Sequence, residues 1–543
     1  MKLKFCGAAQ TVTGSCYLLS TENSKVLVDC GMRQGSDKKT EFGEDKFAFE
    51  PKEIDAILLT HAHIDHSGLI PLAVKKGFKG KIITTEATAQ LATIMLPDSG
   101  HIQEMEAEYQ NRKNLRSGKP TVEPLYTMDD VKKSLEQFAP VPYKKIVNVT
   151  DDISVRFVDA GHLLGSASIE ITVNEDGKEV KLAFSGDIGR EESPIICDPE
   201  FISNDADYII MEGTYGDRDH GVNSDEKKRT EFAAVLNAAL RRGGNIIIPS
   251  FAVGRTQTIL FYLRNLIDSG EVPGLEKIPV YVDSPLGIEA TNVFESCGMG
   301  YYDEETKALA KAGKLFNFEN LKFSRTADES KSLNITKERQ IIISSSGMCD
   351  AGRIRHHLKH NLYRADSTVI FSGYQAEGTL GRLLLSGARK VKIFGEEIRV
   401  NAAIVQIEGF SGHAGKAELT EWLESASKKP KRVFLSHGEA DVLSVFSQTL
   451  KDRGFAVEVP ALLDEFELDA NEVQIAQMEK VEKAYKLENF SLQKKKLFKQ
   501  AERIASLLEA LNESDDELTG LKLKIMEEDL KSLADKWKNI LNT

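Results

Sequence analysis

The 543-residue chain contains no apolar run approaching the ~18–20 residues that a membrane-spanning helix requires, which excludes an integral helical membrane protein. Cysteine is sparse: Cys6, Cys16, Cys30, Cys197, Cys297 and Cys349 are scattered without a CxxC pair. That excludes a disulfide framework and a cysteine-zinc ribbon, and it suits a reducing cytoplasm. Positive charge is also short, with 70 Lys and Arg against 83 Asp and Glu and a formal net charge of −13. A protein that coats nucleic acid through a globally basic surface is therefore excluded, while a local basic channel is not. The opening MKLKFCGAAQTVTGSCYLL has two lysines, but Gln, Thr, Gly and Ser break its apolar residues, so it reads as a strand and turn and not a signal peptide. There is no 20–50-residue repeat and no low-complexity tract. What is present, 41% apolar and 28% charged residues, is the composition of a globular protein of two to four domains.

Residues 1–210 alternate short β-runs with Gly- and Asp-containing turns and helical stretches. Strands are expected at 24–28 before Asp29, at 56–60 before a histidine cluster, at 181–184 before Ser185-Gly-Asp187, and at 208–211 ending at Glu212. Reactive residue types recur where strands stop, as when a rigid sheet positions chemistry-bearing loops. From about 213 to 398 helices (224–242, 256–269, 352–359) alternate with Ile/Val-rich runs (245–249, 279–282, 340–344, 367–371), predicting a second α/β domain with a buried parallel sheet. Strands resume at 403–407 and 432–435, each followed by a histidine, His413 and His437. Beyond about 466 Lys, Glu, Leu and Ala dominate. Leu497, Ile504, Leu508 and Leu511 share one helical face, and Ser514-Asp-Asp-Glu517 reads as a capping box opening a helix whose face is Leu518, Leu521, Ile525, Leu533, Trp537 and Ile540. A helical hairpin serving as a packing or oligomer arm is the simplest reading.

Histidine decides the chemistry. Only 11 occur, and three stand in His61-Ala-His63-Ile-Asp65-His66, directly after an apolar run. Residues two apart in an extended segment point the same way, so His61 and His63 can grip one metal. A turn into helix then swings Asp65 and His66 toward a second. Imidazole nitrogen and carboxylate oxygen suit Zn²⁺. Two metals need more ligands, and His162 in Asp159-Ala-Gly-His162, Asp187 in Phe184-Ser-Gly-Asp187 and His437 in Leu435-Ser-His437 supply them, with Asp187 the natural bridge because a carboxylate has two oxygens.

Asp29, His61-x-His63-x-Asp65-His66, His162 and Asp187 together resemble the motifs of the metallo-β-lactamase superfamily. Glu212 in Met211-Glu-Gly-Thr-Tyr-Gly-Asp217, His413 in Phe410-Ser-Gly-His413 and His437 resemble the three additional motifs of the β-CASP nucleases. Ser345-Ser-Gly347-Met-Cys-Asp-Ala-Gly352 and Gly373-Tyr-Gln-Ala-Glu-Gly378 are similar to further stretches of that family, in the branch related to the endonuclease subunit of the pre-mRNA 3′-end cleavage complex. The resemblance covers about residues 1–465. It implies an α/β architecture: a metallo-β-lactamase αββα sandwich (1–212 and 399–465), an inserted α/β β-CASP domain (213–398) and, beyond the resemblance, a C-terminal helical extension (466–543). It implies two Zn²⁺ per chain, replaceable by Mn²⁺. One takes His61, His63 and His162, the other Asp65, His66 and His437, with Asp187 and a hydroxide bridging them. It further implies hydrolysis of single-stranded RNA in the cleft between the two domains, leaving 5′-phosphate and 3′-hydroxyl ends, with histidine at 437 following the RNA-cleaving pattern.

The catalytic positions are then Asp65, His413, Glu212 and Asp29. His413 fills neither ligand set and stands as a hydrogen-bond donor or general acid; Glu212 and Asp29 orient ligand imidazoles. Arg255, opening a helix after a strand, and the turns at Ser346-Gly347 and Ser372-Gly373-Tyr-Gln375 are expected phosphate contacts, and the basic run Arg353, Arg355, His356, His357, Lys359 and His360 an expected RNA-backbone contact. No membrane partner is expected; a homodimer and protein contacts through the C-terminal helices fit the composition. Two other readings use the same residues: a small-ester hydrolase of glyoxalase or lactonase type, against which the inserted domain speaks, and a non-catalytic scaffold, against which the complete ligand set speaks.

Overall fold

The computed structural model describes residues 1–35, 46–175, 177–201, 205–219, 225–376, 378–407 and 409–469. Two seven-stranded sheets face each other. The first runs in the order Glu465–Glu467, Lys2–Phe5, Tyr17–Ser20, Lys25–Val28, Ala56–Leu58, Lys81–Thr85, Phe138–Val141. The second runs Val457–Glu458, Arg432–Ser436, Tyr208–Glu212, Lys178–Phe184, Ala167–Glu175, Ile153–Asp159, Val147–Asn148. Alternation along each strand sends one set of side chains between the sheets. Val26, Val28 and Leu58 of the first meet Phe157, Ile169, Phe184 and Ile210 of the second in one core, while Leu27, Ile57 and Ile82 point the other way into a core under the helix Ile70–Lys75. The first sheet's Lys25–Val28, Ala56–Leu58, Lys81–Thr85 and Phe138–Val141 pair in parallel, and the long helix Glu86–Ser117 starts where Thr85 accepts a hydrogen bond from Thr88 N and ends at Gly118 in the left-handed region.

The third sheet is parallel throughout, in the order Leu321–Phe323, Val280–Val282, Ile341–Ser344, Ile246–Pro249, Thr368–Phe371, Ala403–Gln406. Its runs Ile246-Ile-Ile and Ile341-Ile-Ile are wholly buried, as continuous β-branched strands must be when both faces are covered. Two expectations change here. The strand near 403–407, expected to begin the second part of the sandwich, instead pairs with Thr368–Phe371 as the edge of this sheet; the chain returns to the sandwich with the helix Lys416–Glu424, which packs against the second sheet, and rejoins that sheet at Arg432–Ser436. Its apolar Ala-Ile-Val core does not distinguish the two sheets, so only pairing decides. Residues 465–467, at the start of the expected helical extension, form a strand against Lys2–Phe5. The C-terminal hairpin itself lies outside the described residues.

Strand Ile153–Asp159 ends on a buried acid. Burial pushes the Asp159 carboxyl up to about 8, although Gly161 N donates to it at 2.9 Å. The sign follows: a raised acid is no burden while both folded and unfolded chains are protonated, and stability declines as pH climbs from the ordinary carboxyl range toward 8. Asp159→Asn is therefore expected to raise Tm at pH 8 by more than it does at pH 5, measured by thermal melts at both pH values.

Candidate metal centre

The candidate residues gather at one end of the sandwich because each lies at or within three residues of the carboxyl end of a strand. Asp29 leaves Lys25–Val28, His61 leaves Ala56–Leu58, Asp187 leaves Lys178–Phe184, Glu212 ends Tyr208–Glu212 and His437 leaves Arg432–Ser436. Asp29 (φ 58°) and His437 (φ 50°) turn sharply through the left-handed region, which redirects their side chains off the sheet edge. His63 caps the short helix Ile64–Ser67, which carries Asp65 and His66 to the other side of the site.

Two donor sets converge. In the first, His61 Nε2 lies 3.0 Å from His63 Nδ1, which lies 3.3 Å from His162 Nε2, and Asp187 Oδ2 stands 3.4 and 3.5 Å from His61 and His162 Nε2. In the second, His66 Nε2 lies 3.2 Å from His437 Nε2, Asp65 Oδ2 is 3.7 Å from His437 Nε2, and Asp187 Oδ1 is 3.3 and 3.6 Å from the two imidazoles. Asp187 thus turns one oxygen to each set.

For His61, His66, His162 and His437 the far side of the ring explains why Nε2 faces inward. Thr60 Oγ1 donates to Asp29 Oδ2 at 2.9 Å, so at 3.1 Å from His61 Nδ1 it accepts from that nitrogen. His66 Nδ1 donates to Asp29 Oδ2 at 2.7 Å, and His162 Nδ1 to the Gly412 carbonyl at 3.0 Å. Thr214 Oγ1 donates to Glu212 Oε2 and accepts from His437 Nδ1 at 3.1 Å. Four rings therefore keep the proton on Nδ1 and turn the Nε2 lone pair to the centre.

Whether these residues fit a cation is answered by the same geometry. The Nε2 lone pairs of His61 and His162 both turn toward His63 Nδ1, at 3.0 and 3.3 Å, where a single proton could serve only one of them, and the buried Asp187 Oδ1 has no hydrogen-bond partner. A positive ion resolves both. Burial holds His61, His63 and His162 below the ordinary imidazole value, with neighbouring imidazoles adding to it, and so neutral. Burial also opposes charge on His66 and His437, but Asp187 outweighs it, helped by Asp29 at His66 and by Asp65 at His437, and their affinity for a proton rises. The donor types, imidazole nitrogen and carboxylate oxygen, suit zinc.

His413 stands beside the centre, its ring centroid 4.5 Å from that of His162. Its Nδ1 donates to Glu212, 3.2 and 3.1 Å from Oε1 and Oε2, and Glu212 Oε1 also accepts from Ile188 N at 2.6 Å. Burial alone would lower His413; the Glu212 carboxylate and, farther off, Asp187 and Asp65 outweigh it and push the ring up to about 9.

Comparison with known proteins agrees with this layout. The family model described as metallo-beta-lactamase superfamily matches residues 10–240, that of the Beta-Casp domain 256–384, and that of a Zn-dependent metallo-hydrolase RNA specificity domain 397–460. Ribonuclease TTHA0252 of Thermus thermophilus is 35% identical over 460 residues, covering 84% of this chain and 98% of that protein. The RNase J-like protein of Methanocaldococcus jannaschii is 32% identical over 448 residues, 82% of this chain and 95% of that protein. The chain belongs to the β-CASP family of metallo-hydrolases. Transcription termination factor FttA of the same archaeon is 29% identical over 462 residues, 83% of this chain and 69% of that protein.

In this β-CASP protein the structure brings together all seven expected ligands with Asp29, Glu212 and His413. Two residues that sequence reading missed are Thr60 and Thr214, the hydroxyls between the acids and the ligand rings. Their only signal is position, one residue before His61 and two after Glu212. Thr214→Val removes the link between Glu212 and His437, and a loss of about 10–100-fold in kcat/KM is expected with the melting temperature little changed.

The expected phosphate contacts divide. Arg255 opens the helix Arg255–Ser269 and donates to the Ser372 carbonyl. Ser346 Oγ is engaged within its own turn with Ala351 at 3.3 Å. Gln375 is 3% exposed, and its Nε2 donates to the Gly347, Tyr374 and Gly373 carbonyls at 3.1, 3.1 and 3.4 Å, so it ties the two turns together and does not face a ligand. The basic run is largely consumed internally. Asp283 accepts from Arg353 and from the fully buried His357, both at 2.6 Å; Lys359 pairs with Glu396 at 2.7 Å; and Arg355 donates to the Asp350 carbonyl at 3.2 Å. An amphipathic basic helix looks the same whether its charges meet solvent, a buried acid or a ligand.

Proposed function

We propose that this β-CASP metallo-hydrolase is a ribonuclease that hydrolyses single-stranded RNA and leaves 5′-phosphate and 3′-hydroxyl ends, using two divalent cations, Zn²⁺ with Mn²⁺ as a substitute. The observation that carries the reading is the pair of donor sets sharing Asp187. His61, His63, His162 and Asp187 Oδ2 would hold one cation; Asp65, His66, His437 and Asp187 Oδ1 the other. When bound, such a pair lowers the pKa of a water and offsets charge developing on the phosphoryl oxygens.

The chain's own residues supply the rest. Asp29, Thr60, Thr214 and Glu212 hold the ligand rings in one tautomer, so no reorientation is needed as charge develops. Glu212 fixes His413 through Nδ1 and keeps it protonated, leaving Nε2 to donate a proton to the departing 3′-oxygen. Arg255, with no carboxylate partner among the described residues, offers its guanidinium to a neighbouring phosphate. The matched RNA specificity domain and the relatives named ribonuclease and RNase J-like support RNA as the substrate.

The test is purified protein with end-labelled single-stranded RNA, matched DNA and a generic thioester, with and without chelator. RNA cleavage that chelator abolishes, with 5′-phosphate ends, is the expected result. Chelator-resistant cleavage, or thioester hydrolysis without RNA cleavage, overturns the reading.

A further inference from the structure

Three adjacent parallel strands of the third sheet, Ile341–Ser344, Ile246–Pro249 and Thr368–Phe371, end side by side, and past their carboxyl ends the chain carries Ser346-Gly347, Phe251 and Gly373-Tyr374. The carboxyl ends of parallel strands are where open α/β sheets bind ligands. Phe251 is 45% and Tyr374 48% exposed, although every strand residue leading to them is buried. Two large rings therefore stand half exposed past the carboxyl ends of buried strands.

Beside Gly373 lies a cation without an acid. The Arg255 guanidinium is partly buried and donates to the Ser372 carbonyl, with no carboxylate paired to it among the described residues. The two glycines are the clearance that makes this arrangement fit. A Cβ at Gly373 would fall 2.5 Å from Arg255 Nη1, and one at Gly347 would fall 3.1 Å from both Cδ2 and Cε2 of Phe251. Phe251 is pinned to the start of the Arg255–Ser269 helix, its carbonyl accepting from Thr256 N at 3.2 Å and Thr256 Oγ1 at 2.6 Å, so ring and cation are held on one rigid piece. That piece abuts the metal centre: a Cβ at Gly254 would sit 3.1 Å from Leu163 Cδ1, one residue from the ligand His162.

A ligand matched to exposed aromatic rings near a partly buried cation without a carboxylate partner among the described residues is flat, apolar on its faces and anionic a few bonds away, which describes a nucleotide. We propose that Phe251 and Tyr374 form a base-stacking subsite whose nucleotide rests its phosphate on Arg255, fixing the register of the strand that reaches the metal centre. The proposal rests on the reading of RNA as substrate. It also accounts for how a chain of net charge −13 retains a polyanion: stacking is indifferent to the sign of the protein's overall field, whereas a phosphate-only grip is opposed by it.

The experiment uses the intact metal-loaded protein and an RNA carrying 2-aminopurine, whose fluorescence falls on stacking. Rapid mixing reads the quench before cleavage, and steady-state assays read kcat and KM separately. In Phe251→Leu, which keeps apolar bulk against Gly347, and in Tyr374→Ala, the quench should be lost and KM for RNA should rise roughly five- to a hundredfold with kcat changed much less; Phe251→Trp should restore both. A wild-type protein that binds this RNA without quench at any 2-aminopurine position, or a Phe251→Leu protein that matches wild type, overturns the subsite. Hydrolysis of bis(p-nitrophenyl) phosphate by the wild-type protein, a diester without a nucleobase, reports on the metal centre alone. Its loss together with RNA cleavage while the quench persists defeats the nuclease reading and leaves the stacking site standing.

Discussion

Replacing Asp187 with alanine is expected to lower RNA cleavage by more than about a thousandfold and to strip transition metal from the purified protein. Asp187 is the one residue that turns an oxygen to each donor set, with Oδ2 near His61 and His162 and Oδ1 near His66 and His437. It lies 2% exposed among five buried or half-buried imidazoles, and among the described residues no other carboxylate reaches both sets. A pair of bound cations contributes several kcal/mol of charge stabilisation in the transition state, and each 1.36 kcal/mol is tenfold in rate, so losing both yields that thousandfold. Elemental analysis supplies the readout that activity alone does not. The variant should hold well under one equivalent of metal where the wild type is expected to hold two. Full metal occupancy with full activity would show that Asp187 is a structural acid and that the two sets are not a dinuclear centre. Asp187→Asn separates charge from shape: it keeps the carbonyl oxygen but not the second anionic one, and should bind metal more weakly than wild type and better than the alanine variant.

The second large effect is the opposite in kind. His413→Ala should lower kcat by roughly 10²–10⁴-fold while metal content stays at the wild-type level. The ring sits 4.5 Å from that of His162, yet its Nδ1 is spent on Glu212 and contributes to neither donor set. Because Glu212 keeps the imidazole protonated, an RNA bearing a good leaving group at the scissile position, which needs no proton on departure, should be cleaved by the variant at close to the wild-type rate. Loss of metal on His413→Ala would move this histidine into the ligand set. An equal loss on both substrates would make it a binding residue and not a proton donor. Glu212→Gln should follow His413→Ala in direction, since the neutral amide can hold the ring but not its charge.

These two expectations differ in how far the sequence carried them. The His61-x-His63-x-Asp65-His66 segment was legible because extended and helical periodicities dictate where its side chains point, whatever surrounds them. His162, Asp187 and His437 were legible only as reactive types at the ends of strand-like runs. The hydroxyls Thr60 and Thr214 were not legible at all, because a threonine after a strand is usually a turn residue. Its role here exists only once Asp29, more than thirty positions away, and His437, more than two hundred, lie against it.

The basic run at 353–360 shows the same limit from the other side. Its charges promised a nucleic-acid surface, and the fold directs Arg353 and His357 inward to Asp283 and Lys359 to Glu396. Arg255 was legible as a phosphate contact because it opens a helix after a strand; what the fold adds is that no acid in the described structure is paired with it. The strand Ala403–Gln406 belongs to the third sheet for a comparable reason, since a short apolar run fits any sheet and only its neighbour Thr368–Phe371 settles which.

By itself, the sequence indicated the class of chemistry through residue types spaced within a few positions in His61-x-His63-x-Asp65-His66, and its resemblance to the β-CASP nucleases implied the sandwich with its inserted α/β domain and the candidate ligands farther along the chain. Which nitrogen of each imidazole faces the centre, which charges are left unpaired and which rings stand exposed were decided by the tertiary structure alone. Those properties depend on partners brought from distant segments, and local sequence does not encode a distance it has not yet closed.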